Sequence, residues 1–245
     1  MKTIGMIGGV SAESSTEYYR LINQEVKHRL GADHSAELVM VSLDFHPIAQ
    51  LQLQQRWREL ADVLIGAIAR LEKAGAEFVV LASNTLHSVF DLVQPAIGIP
   101  LLHIADATAE EINGSGIAAV GLLGTRAVME QDFYKDNFRA HGIISLVPRE
   151  EERQFVHNLI YDELCIGKLL PESRDKLRTI ILGLRHSGAE AVVLACTELP
   201  LLITGNDTPV KLFDTMTVHV RKAVTFALER DGFRSPIAGA ARSRS

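Results

Sequence analysis

Cysteine is nearly absent from this chain: Cys165 and Cys196 are the only two, 31 positions apart. Two such thiols make no disulfide framework, and neither Cys-x-x-Cys nor His-Glu-x-x-His spacing occurs to mark a metal site. A cysteine that matters here matters as a free thiol. Positive charge is not in excess either. Twenty-five Lys and Arg face 30 Asp and Glu, a net charge of -5, so the basic surface that nucleic acid requires is missing. No apolar run approaches the roughly 20 residues of a membrane span, and no membrane partner is expected. Gly5, Gly8 and Gly9 do not spell Gly-x-Gly-x-x-Gly, which removes the fingerprint of a dinucleotide site. Residues 1–7 run straight into a strand-like pattern without the apolar stretch and cleavage site of a signal peptide, and the expected compartment is the cytoplasm.

What the chain does have is alternation. Short apolar runs at 3–7, 38–42, 78–82, 100–104, 118–123, 143–147, 191–195 and 209–213 read as strands buried on both faces. Amphipathic helices lie between them. Over 58–74, Leu60, Val63, Leu64, Ala67, Ile68 and Leu71 form one apolar stripe before Gly75; over 173–187, Leu177, Ile180, Ile181 and Leu184 do the same before Gly188. Ser14-Ser15-Thr16-Glu17 has the spacing of a capping box opening the first helix. Strands alternating with helices over short connections predict a parallel α/β sheet.

The alternation repeats. Gly75-Ala-Glu-Phe-Val-Val-Leu-Ala-Ser83-Asn-Thr85 matches Gly188-Ala-Glu-Ala-Val-Val-Leu-Ala-Cys196-Thr-Glu198, so that Ser83 and Cys196, like Gly75 and Gly188, lie 113 positions apart. Residues 2–8 resemble 118–124, and the run from Pro100 to Asp106 resembles that from Pro209 to Asp214, in the same order. The expectation is an α/β fold of two pseudo-symmetric lobes, each a mostly parallel four-stranded sheet flanked by helices. Residues 1–98 with 210–230 form the first lobe, 99–209 the second, and 231–245 a flexible tail without apolar periodicity.

In open parallel sheets ligands bind beyond the carboxyl ends of the strands. Ser83 and Cys196 both follow such a strand, so a pseudo-twofold axis sets them across one interlobe cleft. Helix N-termini there would attract an anion and lower a thiol's pKa. Two proton-transfer groups flanking one anion site is the arrangement that inversion at a carbon needs.

The motifs are specific enough to carry a resemblance. Lys2-Thr3-Ile4-Gly5-Met6-Ile7-Gly8-Gly9-Val10-Ser11 is similar to the opening of the cofactor-independent aspartate/glutamate racemases, with Val10 where they usually carry Met. Ser83-Asn84-Thr85-Leu86-His87 resembles their Cys-Asn-Thr-x-His motif, and Cys196-Thr197-Glu198 their Cys-Thr-Glu. Asp44-Phe45-His46, Leu122-Leu123-Gly124-Thr125-Arg126 and Met129-Glu130-Gln131-Asp132-Phe133-Tyr134 are similar to the broad-specificity branch, and the match runs to about residue 230. The resemblance implies racemisation of aspartate, and of glutamate, with Ser83 and Cys196 as the opposed catalytic pair. It implies that Asn84, Thr85 and Thr197 hold the α-carboxylate and amino group, with Glu198 beside them. Val10 and Gln52 would line the pocket and Thr125 would reach in from the second lobe. It further implies neither pyridoxal phosphate nor metal, a homodimer, and a second cysteine that faces the α-proton of the L-enantiomer.

Two positions depart from the family. Ser83 stands where the first catalytic cysteine belongs, and Ile166 stands where some aspartate racemases carry a lysine for the distal carboxylate, with Lys168 two positions on. One thiol also suits an arylmalonate-decarboxylase-like enzyme, and loss of chemistry altogether would leave a binder of acidic amino acids. His87, His103 and Cys165 read as packed residues, and Arg56, Arg58 and Arg126 as solvated charges, with contact to the distal carboxylate as the alternative for one of the three.

Overall fold

The computed structural model describes residues 1–229, so the tail expected at 231–245 lies outside the described residues. Seven strands, β1 (Ile4–Gly8), β2 (Leu38–Ser42), β3 (Phe78–Leu81), β4 (Ala119–Gly124), β5 (Ile144–Leu146), β6 (Ala191–Ala195) and β7 (Lys211–Asp214), form two all-parallel sheets. Their orders are β2-β1-β3 and β5-β4-β6-β7. The helices of the first half are α1 (Ala12–Leu30), α2 (Phe45–Leu53), α3 (Trp57–Lys73), α4 (Phe90–Val93) and α5 (Ile104–Gly114). Those of the second are α6 (Arg126–Glu130), α7 (Asp132–Ala140), α8 (Glu150–Asn158), α9 (Pro171–His186), α10 (Leu199–Leu202) and α11 (Thr215–Leu228). None of these helices is long and apolar enough to cross a membrane.

Strand side chains alternate between two buried faces, as a sheet covered on both sides requires. In the first sheet, Val79 and Leu81 pack with Leu64, Ile68 and Leu71 of α3, while Phe78 and Val80 pack with Tyr18 and Ile22 of α1 and with Val220 and Val224 of α11. In the second, Val192 and Leu194 meet Leu177, Ile181 and Leu184 of α9, while Val193 meets Ile112 of α5 and Phe138 of α7. Gly75 and Gly188 follow the C-termini of α3 and α9 at φ values of +91° and +105°, a conformation open to glycine without the penalty of a side chain.

Three expectations are corrected. The first sheet has three strands rather than four, because 100–104 contributes only an isolated bridge between Val79 and Leu101. Pro100 has no amide hydrogen to give, and two residues past Leu101 the His103 side chain caps α5 by accepting from the Ala105 amide. That bridge lies beside β3 as β7 lies beside β6, so the pseudo-symmetry survives in reduced form. The lobe boundaries shift accordingly: Leu101 stays with the first sheet, β7 belongs to the second, and only from α11 does the chain return to the first lobe. Finally, α1 begins at Ala12 with Ser11 as its cap, its hydroxyl accepting from the Ser14 amide at 3.2 Å.

Behind the β3 turn, three histidines are buried together. The Nδ1 of His87 lies 2.9 Å from the Ser83 carbonyl, and the Nε2 of His219 lies 3.1 Å from the Leu102 carbonyl. Since a carbonyl only accepts, His219 carries its proton on Nε2 and takes the Tyr18 hydroxyl proton at Nδ1, 3.0 Å away. The His87 and His103 ring centroids are 4.9 Å apart. Burial, then the neighbouring ring, pushes His87 and His219 down to about 3 and His103 down to about 4.

These rings are neutral when folded but protonate readily once exposed. Their contribution to stability is therefore fully present above about pH 6.5 and is lost as pH falls from there toward the folded values. Each steepens the loss by about 1.4 kcal/mol per pH unit. Urea midpoints measured between pH 7 and pH 5 will fall, and His219→Gln will flatten that fall. Equal pH slopes in the two proteins would contradict the account.

Candidate active site

The carboxyl ends of β1, β3, β4 and β6 converge, and the turns that follow them build one cleft of about 450 Å³. After β1 the chain turns at Gly9, where φ is +86° and a Cβ would fall 2.0 Å from the Leu43 carbonyl oxygen. Only glycine permits that approach, which delivers Val10 and Ser11 to the cleft. The first lobe contributes Val10 and Gln52, together with Ser83, Asn84 and Thr85 after β3. The second lobe contributes Thr125 after β4, and Cys196, Thr197 and Glu198 after β6. All nine residues singled out in the sequence thus face one space. Ser11, Phe45, Ile160, Tyr161 and Cys165 line it as well. Of these, Ser11 was legible only as part of the opening motif. Cys165 packs against the second lobe's core as expected, yet it also reaches the cleft.

Glu198 organises the floor. Its buried carboxylate accepts from the Ser11 hydroxyl at 3.1 Å, from the Thr197 hydroxyl at 2.7 Å and from the Cys196 thiol at 3.0 Å. The Ser14 hydroxyl donates to Thr197 at 2.6 Å, so two residues of the α1 entry grip the β6 turn. On the facing side, the Thr85 and Thr125 hydroxyls meet at 3.2 Å across the lobes. Asn84 is fixed by the Tyr134 hydroxyl, which donates to its Oδ1 at 2.6 Å, while its Nδ2 is buried without a partner. A buried amide left with an unused donor costs free energy until a ligand supplies an acceptor.

The Cys196 thiol is shifted in the direction opposite to that expected. Burial first, then the charge and hydrogen bonding of Glu198, hold Cys196 well above the ordinary thiol value. Burial, then Glu198, pushes Cys165 up to about 12. The anticipated helix dipole is too slight to oppose this, because the turn after Cys196 leads into α10, which is only four residues long. The resting cleft therefore holds a protonated Cys196 beside the Glu198 side chain, the only Asp, Glu, Lys or Arg among the described residues lining it. No group of three or more His, Cys, Asp or Glu among the described residues is placed to hold a metal ion.

Residues 7–223 match the family described as Asp/Glu/Hydantoin racemase. A Yersinia pestis structure classed provisionally as an Asp/Glu racemase is 45% identical, with a TM-score of 0.88 over 94% of this chain and 100% of that one. An aspartate racemase homologue from Pyrococcus horikoshii is 38% identical, with a TM-score of 0.81 over 94% of this chain and 100% of that one. The broad specificity amino-acid racemase RacX of Bacillus subtilis is 23% identical over 167 residues, covering 68% of this chain and 72% of that protein.

The electrostatics of the floor can be read without substrate. Alkylation of Cys196 by iodoacetamide, followed by mass spectrometry of its peptide, will be slow at pH 7 and will rise only in strong alkali. Glu198→Gln removes the charge that opposes the thiolate, so alkylation at a given pH will rise. A reaction rate unaffected by Glu198→Gln would show that the carboxylate does not set the thiol.

Proposed function

The chain belongs to the Asp/Glu/hydantoin racemase family and is an amino-acid racemase; from that premise we propose that it inverts aspartate and glutamate by two-base α-proton transfer, slowed by the hydroxyl of Ser83. One observation carries the reading. Ser83 and Cys196 occupy equivalent positions in the two repeats and line the same cleft, beside an Asn84 amide whose Nδ2 has no partner.

The chemistry follows from the groups present. The Cys196 proton passes to the Glu198 carboxylate with which it is already hydrogen bonded, and the thiolate left behind takes the α-proton of the L-enantiomer. The electron pair released from the C–H bond delocalises into the α-carboxylate, where the free Asn84 N–H stabilises the added charge. Inversion then requires a proton from the opposite face, supplied by the Ser83 hydroxyl. A hydroxyl is a far weaker acid than a thiol, so this step is slow, whereas return of the proton from Cys196 is not.

Proton NMR in D₂O will show α-proton exchange of L-aspartate outpacing that of D-aspartate, with inversion slower than the thiol-mediated exchange of the L form. Ser83→Cys will accelerate racemisation by about a thousandfold if the hydroxyl raises the barrier by roughly 4 kcal/mol. Cys196→Ser will abolish exchange. Rapid inversion by the protein with Ser83 intact would assign the second base to another residue. A single thiol at the paired positions also fits decarboxylation, and CO₂ release from a disubstituted malonate without exchange of aspartate would favour that reading.

A further inference from the structure

The cleft opens outward into a vestibule of about 1350 Å³, and Gln52, Thr85, Thr125 and Tyr161 line both spaces. The two are thus continuous, and a ligand held by its α-carbon in the cleft points its side chain at the vestibule. The polar groups differ sharply between them. The cleft offers one carboxylate, Glu198, and neutral donors. The vestibule adds Arg126, the residue after Thr125, together with Glu130, and Arg126 is the only Lys or Arg among the described residues lining it.

We propose that Gln52 and Arg126 form the subsite for the substrate's distal carboxylate, and that this subsite favours glutamate over aspartate. The inference rests on the racemase reading and adds to it the group that selects the side chain. Gln52 stands at the passage from cleft to vestibule, and its Nε2 is buried without a hydrogen-bond partner. With the orphaned Asn84 Nδ2 it gives the site two unused amide donors, one from the turn after β3 and one from α2. A ligand with two separate acceptor groups satisfies both, and a dicarboxylic amino acid is such a ligand.

Charge points the same way. Glu130 is shared, accepting from Arg126 at 3.3 Å and from Arg153 at 3.0 Å. Glu130 also lines the vestibule, but serving two guanidinium groups it leaves Arg126 without a carboxylate of its own. The remaining contact of the Arg126 side chain is to a neutral group, the Gln154 carbonyl oxygen at 2.8 Å. His157, also in the vestibule, is held below its ordinary value by burial and then by Arg126, so it adds no cation near neutral pH. Arg126 lies in the vestibule and outside the cleft, so the side chain with the extra methylene reaches it better. Lys168 and Ile166, in the loop where a distal-carboxylate lysine was sought, line neither space.

Calorimetric titration of L-glutamate, L-aspartate and L-alanine into the parent protein, Arg126→Gln, Arg126→Lys and Gln52→Met tests the assignment. The parent will bind glutamate more tightly than aspartate, and aspartate more tightly than alanine. In Arg126→Gln the ratio of glutamate to alanine affinity will fall by about 10- to 100-fold, as expected for loss of a hydrogen-bonded charge. Arg126→Lys will recover part of it, and Gln52→Met will lower the same ratio. Binding whose glutamate-to-alanine ratio ignores Arg126 would overturn the subsite and leave the racemase reading intact. Failure of the parent to bind any of the three would overturn both.

Discussion

The carboxylate of Glu198 accepts hydrogen bonds from groups on both lobes, and much of the molecule is arranged around that fact. A buried carboxylate without donors costs several kcal/mol, so each of its partners must be held in place by the fold. Ser11 is held because it caps α1, and Thr197 because Ser14, one turn into the same helix, donates to it. The tight passage at Gly9 brings that helix entry close enough. The first lobe is thereby tied to the second through its first helical turn, and the same carboxylate adds to burial in holding the Cys196 thiol above its ordinary value. Lobe docking and thiol chemistry depend on one side chain.

The parts of this arrangement legible in the sequence were those written as repeats or periods. The apolar strand runs appear because strands covered on both faces leave no room for polar residues, and 191–195 was placed to the residue. The matched segments at Ser83 and Cys196 point to the cleft that both residues line, since equivalent strands end at equivalent points of a pseudo-symmetric pair. What could not be read depended on neighbours distant in sequence. The apolar run at 100–104 has strand composition, but Pro100 and the His103 cap leave it a bridge. The thiol of Cys196 looked set for a lowered pKa from its local position, while its burial and the spatial approach of Glu198 raise it. The sequence leaves Arg56, Arg58 and Arg126 equal candidates for a distal carboxylate. What separates Arg126 is the vestibule it lines and a carboxylate shared with Arg153, 23 positions beyond Glu130.

The two lobes have diverged where their surroundings differ. Beside β6 the fourth strand is complete, and beside β3 it shrinks to a bridge at Leu101. In the reduced space sits the histidine cluster, where the Leu102 carbonyl meets His219 and the Ser83 carbonyl meets His87. Those rings stiffen the turn that carries Ser83 through its backbone, leaving the hydroxyl to face the cleft. On the opposite side the turn is secured through side chains, by Glu198 and Ser14. Equivalent strands thus present their terminal residues by unlike supports.

The pairing of a serine with a cysteine across the repeats also has a thermodynamic side. Enantiomers in water have identical free energies, so the equilibrium between them is fixed at unity whatever the protein supplies. Detailed balance then forbids a lopsided pair from favouring one direction of inversion: weakening the group on one face slows L-to-D and D-to-L by the same factor in kcat/KM. Only the isotope traffic can be one-sided, because a proton that leaves and returns on the same face creates no product. On the proposed reading the fold has separated two rates that a symmetric pair would keep together. It labels one enantiomer while converting neither quickly.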